Sequence, residues 1–187
     1  MAEAPLSISK KEARRYLLRY HFLFPPRTLS GADGVHAVMD RLRCIQVDPL
    51  DVAGKNADLV LQSRIEGYRP EMLEEPLYGS HRYLETWDKL RSIVPREDWH
   101  GLSAYRKRMK ALHEERGNPP EEVISYVRRE LAQRGELTSL DLEDKGQAQW
   151  RWAPARAVRA ALEIMFDWGE IGISGRGGSR KIYTPIE

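Results

Sequence analysis

Between Asn118 and Glu187 the hydrophobic pattern runs helix, helix, helix, two-stranded hairpin within about seventy residues, and this order constrains the fold more than any other feature of the chain. Gly117-Asn118-Pro119-Pro120 opens the segment, with glycine as a helix stop and proline suited to a helix start. Val123, Ile124, Val127 and Leu131 then predict a helix that Gly135 ends. Thr138 and Asp141 have the spacing of a cap for a short second helix. Pro154 opens a third, with Val158, Leu162, Met165 and Trp168 on its apolar face and Gly169 at its close. Glu170–Ser174 and Arg180–Thr184, joined by Gly175-Arg176-Gly177-Gly178, read as a hairpin.

That is the order of a winged helix-turn-helix module whose third helix is the recognition helix. Arg156 and Arg159 lie three apart, hence near one another on a helix face. Arg176 falls at the predicted wing tip, with Arg180 and Lys181 behind it. Arginines so placed suit base edges or phosphates in the major groove, and a glycine-rich basic wing suits phosphate or minor-groove contact. A winged helix used for protein contacts has the same pattern, and Glu163 is spaced to pair with Arg159 and blunt the basic face.

The first 117 residues predict more helices. Ser9 and Glu12 form a capping box ahead of Ala13, Tyr16, Leu17 and Tyr20, and Pro25-Pro26 stops that helix. A second helix is expected over Gly34–Leu42 on a stripe of Val35, Val38, Met39 and Leu42. A third is expected from Ala57, Val60, Leu61 and Ile65, ended by Gly67. Short helical turns are expected at Glu71–Tyr78 and Tyr83–Trp87, and one long charged helix over Asp98–Arg116. The fold class that follows is mainly α with small β-hairpins, arranged as tandem winged helix-turn-helix modules: 1–117, a first module with extra helices, and 118–187, a second.

Within the first module, Cys44-Ile45-Gln46-Val47-Asp48-Pro49 places two polar residues in an apolar run. In an extended segment, side chains two apart share a face, so Ile45 and Val47 would enter a core while Gln46 and Asp48 project together. Pro49 favours that geometry in the residue before it. An amide beside a carboxylate on a stiff element can hold and activate water. Asp-Pro is also a turn signal, and on pattern alone Gln46 could simply face solvent.

The remaining features bound the function. Eight basic against five acidic groups in residues 1–50, and six against four in 151–187, make the two ends the electropositive regions of a chain with net charge +2. Cys44 is the only cysteine, so there is no internal disulfide and no thiolate cluster. His21, His36, His81, His100 and His113 lack metal-ligand spacing, and neither a metal nor another cofactor is expected. The tryptophans read as core, with Trp150-Arg151-Trp152 kept as a stacking or wedge element. No apolar run is long enough to span a membrane and no signal-peptide core is visible, which makes a cytoplasmic location the expectation.

Several strings taken in order resemble a known family. They are Ile8-Ser9-Lys10-Lys11-Glu12-Ala13-Arg14-Arg15, the Gln46-x-Asp48 segment, Asp58-Leu59-Val60-Leu61-Gln62-Ser63-Arg64 and Leu84-Glu85-Thr86-Trp87. Trp152-Ala153-Pro154, Val158-Arg159-Ala160-Ala161-Leu162-Glu163 and Arg180-Lys181-Ile182-Tyr183 complete the set. Together they look like the winged-helix crosslink-repair DNA glycosylases of bacteria, the YcaQ-like and AlkZ-like proteins. The resemblance implies hydrolysis of the N-glycosidic bond of alkylated or crosslinked purines in double-stranded DNA. Gln46 and Asp48 fall on the family's Gln-x-Gln or Gln-x-Asp catalytic motif; beside them the basic residues Arg156, Arg159, Arg176, Arg180, Lys181 and Lys55 are the expected DNA contacts, and no metal is expected. Family members are usually longer, and Asn56 and Lys89 stand where histidines are expected. A non-catalytic DNA-binding relative, such as a regulator, is the alternative.

Overall fold

The structure is a computed structural model that describes residues 7–48, 51–117, 119–149 and 153–186. Pro49, Asn118 and the Trp150-Arg151-Trp152 element therefore lie outside the described residues. Seven α-helices and short strand pairs make up the described chain, which is mainly α with small β. It divides into two compact units, one ending at Glu74 and one starting at Glu75.

In the first unit, helix α1 (Lys10–Tyr20) starts where the sequence places it. Ser9 and Glu12 cap one another, the Glu12 amide donating to Ser9 Oγ and the Ser9 amide to the Glu12 carboxylate. No residue of α1 is buried. Helix α2 (Gly31–Leu42) buries Val35, Val38 and Met39 completely and forms the centre of this unit. Strand β1 (Leu29–Ser30) runs parallel to β3 (Ile65–Glu66), with Leu29 opposite Ile65. Between them lie β2 (Ile45–Gln46) and helix α3 (Asn56–Gln62), then α4 (Glu71–Glu74). The third helix is shorter than expected: Ile65, assigned to it by spacing, is a buried strand residue instead. Gly34 explains part of this arrangement, since a Cβ there would meet Leu29 at 3.2 Å and Ile65 at 3.3 Å.

The second unit opens with a π-turn, Glu75–Gly79, and an antiparallel hairpin of β4 (Tyr83–Trp87) and β5 (Arg91–Pro95), with Tyr83 opposite Pro95 and Trp87 opposite Arg91. A strand stands here in place of the helical turn expected at Tyr83–Trp87. The strand forms because Tyr83, Glu85 and Thr86 are buried and Ile93 and Val94 supply a β-branched partner of matching length. A 3₁₀ segment (Arg96–Leu102) precedes α5 (Ser103–Arg116), so the expected long helix is broken near its start. Helix α6 (Glu121–Arg134) ends at Gly135 as its pattern requires.

Beyond α6 the short second helix of the expected module does not form. Thr138 and Asp141 do cap one another, through Thr138 N–H and Oγ1 to the Asp141 carboxylate at 2.6 and 2.7 Å, but the chain between them is a turn. Strands β6 (Gln147–Ala148) and β7 (Ala155–Arg156) pair before α7 (Ala157–Trp168), and β8 (Ile171–Gly177) pairs with β9 (Arg180–Pro185). The hairpin turn is Gly178-Ser179, so Arg176 is a strand residue opposite Lys181 and not the tip. Helix α7 is the axis of this unit. Ten of its residues are buried, among them Val158, Leu162 and Met165 from the predicted stripe, and Val127, Leu131, Ile171 and Tyr183 pack around it.

Candidate nucleic-acid interface and catalytic pair

The catalytic candidates sit where β2 leads towards α3. Ile45 is buried at 2% exposure and Gln46 is exposed, as alternation predicts. The alternation then weakens: the strand covers Ile45–Gln46 alone, and Val47, expected in the core, is half-buried like Asp48. Asn56 contributes one tie on the Gln46 backbone. Its carboxamide, on the first residue of α3, donates to the Gln46 carbonyl at 2.7 Å, tying the extended segment to the helix ten residues on. Lys55, the residue before it, caps α3 with its backbone and stays exposed, with its ammonium 3.8 Å from Glu74. An exposed cation beside the Gln46 anchor is a position from which a phosphate can be met; an exposed pair at that distance is too weak to tie it up.

The basic residues of the second unit divide into two groups. Arg159 and Arg180 are exposed. Arg156, Arg176 and Lys181 are engaged within the fold. Arg156 ends β7, just before α7, and turns back to donate to the carbonyls of Ser139 and Leu142, both at 3.0 Å, so it stabilises the turn that replaces the second helix. It does not share an outward helix face with Arg159. Arg176 forms a bidentate pair with Glu85 at 2.9 and 2.6 Å, and Tyr78 donates to the same carboxylate at 2.6 Å. Burial alone would raise the Glu85 carboxyl, but the Arg176 bonds hold it below the usual glutamate range, and Glu85 in turn raises Arg176 against its own burial.

Lys181 belongs to a second cluster. Its ammonium contacts Glu163, which also accepts from Arg91 at 2.6 Å and from the Tyr183 hydroxyl at 3.0 Å. One carboxylate between two cations gains more than either cation does. Burial opposes ionisation of Glu163, yet Lys181 and Arg91 lower it to about 2. Lys181 falls to about 8 because burial and the Arg91 charge outweigh what Glu163 returns. The pairing expected between Glu163 and Arg159 is replaced by this cluster, which leaves Arg159 facing outward.

A family model described as DNA glycosylase AlkZ-like matches residues 39–187. The chain belongs to the AlkZ-like DNA glycosylase family. The match spans Gln46, Asp48, Asn56 and both ion clusters, so the AlkZ-like segment holds every residue just described. No solved structure matches the chain. Among the described residues no group of three or more His, Cys, Asp or Glu could hold a metal ion, and no helix is long and apolar enough to cross a membrane.

Sequence reasoning did not find the Asn56 anchor, although it singled out Asn56 as a departure where AlkZ-like proteins are expected to have histidine. It also missed Tyr78, Glu85 and Arg91. The signal available was a lone Glu85 inside the aromatic and apolar run Tyr83–Trp87, since a carboxylate in such a run needs a buried cation.

Proposed function

We propose that this chain is a monofunctional DNA glycosylase that hydrolyses the N-glycosidic bond of alkylated or crosslinked purines in duplex DNA. The observation that carries the reading is the anchored, exposed Gln46 two residues from Asp48 within the matched AlkZ-like span. N7 alkylation makes the purine cationic, so the base can leave with the C1′–N9 electron pair and become neutral without a strong general acid. Positive charge then builds on the sugar. The Asp48 carboxylate offsets that charge and takes the proton of the water that attacks C1′, while the Gln46 amide orients that water. The products are a free base and an abasic sugar.

The chain is read as tandem winged-helix modules, 1–117 and 118–187, with their boundary inside the second compact unit and the β8–β9 hairpin as the second wing. Duplex phosphates are met by Lys55, Arg159 and Arg180, the exposed members of the basic set. Arg176 and Lys181 hold the hairpin that carries Arg180, and Arg156 ties the turn at Ser139–Leu142 to the start of α7, which carries Arg159. Release of N7-methylguanine from duplex DNA tests the reading. Asp48→Asn is expected to lower release by at least a hundredfold while duplex retention stays at the wild-type level. Retention by the wild type with no release from any alkylated duplex selects the non-catalytic DNA-binding alternative.

A further inference from the structure

The structure carries a second surface that the catalytic reading does not use. A groove of about 550 Å³ is lined by Arg15, Tyr16, Arg19 and Tyr20 of α1, with Glu12 at one end and Arg41 of α2. Its walls are ordered by stacking. Tyr16 and Tyr20 stack with centroids 5.9 Å apart, and the Arg41 guanidinium lies 4.7 Å from the Tyr20 ring and 4.8 Å from the Phe22 ring. Arg41 also donates to the Tyr20 carbonyl at 3.1 Å, which fixes the helix end against α2. The ladder ends at Tyr16, which leaves 64% of its surface in solvent.

The charge is one-sided. Glu12, the lone carboxylate of the lining, is turned to the helix start, where it accepts from Ser9 N–H and Oγ at 2.8 and 2.7 Å. Arg15 and Arg19 flank the aromatic stripe one turn apart, about 6 Å along the axis, and both are exposed. An apolar partner protein would pay to desolvate three guanidinium groups here. A strand of phosphates would not, and its bases have π-faces to place on an aromatic end.

We propose that this groove binds single-stranded nucleic acid, with an unpaired base stacked on Tyr16 and flanking phosphates on Arg15, Arg19 and Arg41. Aromatic platforms beside cations are how proteins hold unpaired strands without reading sequence. Helix α1 precedes the matched span 39–187, and the proposal does not depend on the glycosylase reading.

Fluorescence anisotropy on the full chain tests it, using labelled dodecathymidylate and an abasic strand of the same length and charge. Wild type is expected to bind the thymidylate about tenfold more tightly than the abasic strand, because stacking contributes through the base alone. Tyr16→Ala brings the two affinities together. Arg15→Ala with Arg19→Ala weakens both and makes the salt slope shallower by about 1.4, the value for two charges on a single strand. Asp48→Asn leaves all of these unchanged, which separates this site from the catalytic pair. Equal affinity for both strands, with no effect of Tyr16→Ala, overturns the proposal. So does α1-dependent binding to phosphatidylserine vesicles, or α1-dependent dimerisation, without binding of the thymidylate.

Discussion

The Asn56 carboxamide donates a 2.7 Å hydrogen bond to the backbone carbonyl of Gln46. This bond acts on the backbone, so it sets where the Gln46 side chain starts without occupying its amide. Asn56→Ala is expected to cost about 1 kcal/mol, the net worth of one hydrogen bond, and to slow base release by up to about tenfold. Asn56→Asp separates positioning from stability. A carboxylate in the first turn of α3 favours the helix but cannot donate to the carbonyl. Thermal denaturation should therefore show α3 retained while base release falls. Full release by Asn56→Asp would remove Asn56 from the site.

Glu163 is the shared anion of the Arg91–Lys181 cluster, with 11% of its side chain exposed. Its folded pKa of about 2 lies below the ordinary value of 4.5, so its contribution is fully present above pH 4.5 and is lost as the pH falls towards 2. The contribution is on the order of 3 kcal/mol. Acid titration followed by circular dichroism should show this loss in wild type. Glu163→Gln leaves two half-buried cations facing a neutral amide and should cost about 3–5 kcal/mol at neutral pH. The same variant should have a flatter acid profile below pH 4.5, because the group that titrates there is gone.

Gly169 ends α7 at φ +75°, a conformation that side chains rarely adopt. A Cβ there would also run into the Arg106 side chain and come within 2.9 Å of Trp99. Arg106 lies 3.7 Å from the Trp99 ring and donates to the Trp99 carbonyl at 2.8 Å, so moving it gives up both contacts. Gly169→Ala is expected to destabilise by about 2 kcal/mol or more, as the sum of left-handed strain and a lost contact. Urea denaturation with an unchanged m-value would check it; a change of less than 0.5 kcal/mol would mean that the junction relaxes freely.

What could be read from the sequence was local. The Ser9–Glu12 box and the Gly169 stop act within one turn of helix, and the stripes of α2 and α7 repeat every three or four residues; all were visible as spacing. The β4–β5 hairpin was not, because Glu85 belongs in a strand only once Arg176, 91 positions away, neutralises it. The site divides the same way. Gln46 and Asp48 stand out in an apolar run, whereas the Asn56 bond depends on where a loop returns. Arg176 and Arg180 look alike in sequence, and their opposite fates are set by which strand residue faces the Glu85 carboxylate.

That difference gives the last prediction. Arg176 has 20% of its side chain exposed and Glu85 has 1%, so Arg176→Ala would leave a buried carboxylate without its cation. The expected cost is about 3–5 kcal/mol in thermal or urea unfolding. Arg176→Ala combined with Glu85→Gln should recover part of it, since the uncompensated charge is then absent. Arg180 is exposed, and Arg180→Ala should leave stability within about 0.5 kcal/mol of wild type. Its effect should appear in duplex binding instead, as weaker retention and a salt slope shallower by about 1. The Arg176→Ala protein, assayed at a temperature where it remains folded, should keep a salt slope closer to wild type than Arg180→Ala does. The reverse order of slopes would place Arg176, not Arg180, on the phosphates and would require the Glu85 pair to open when DNA binds.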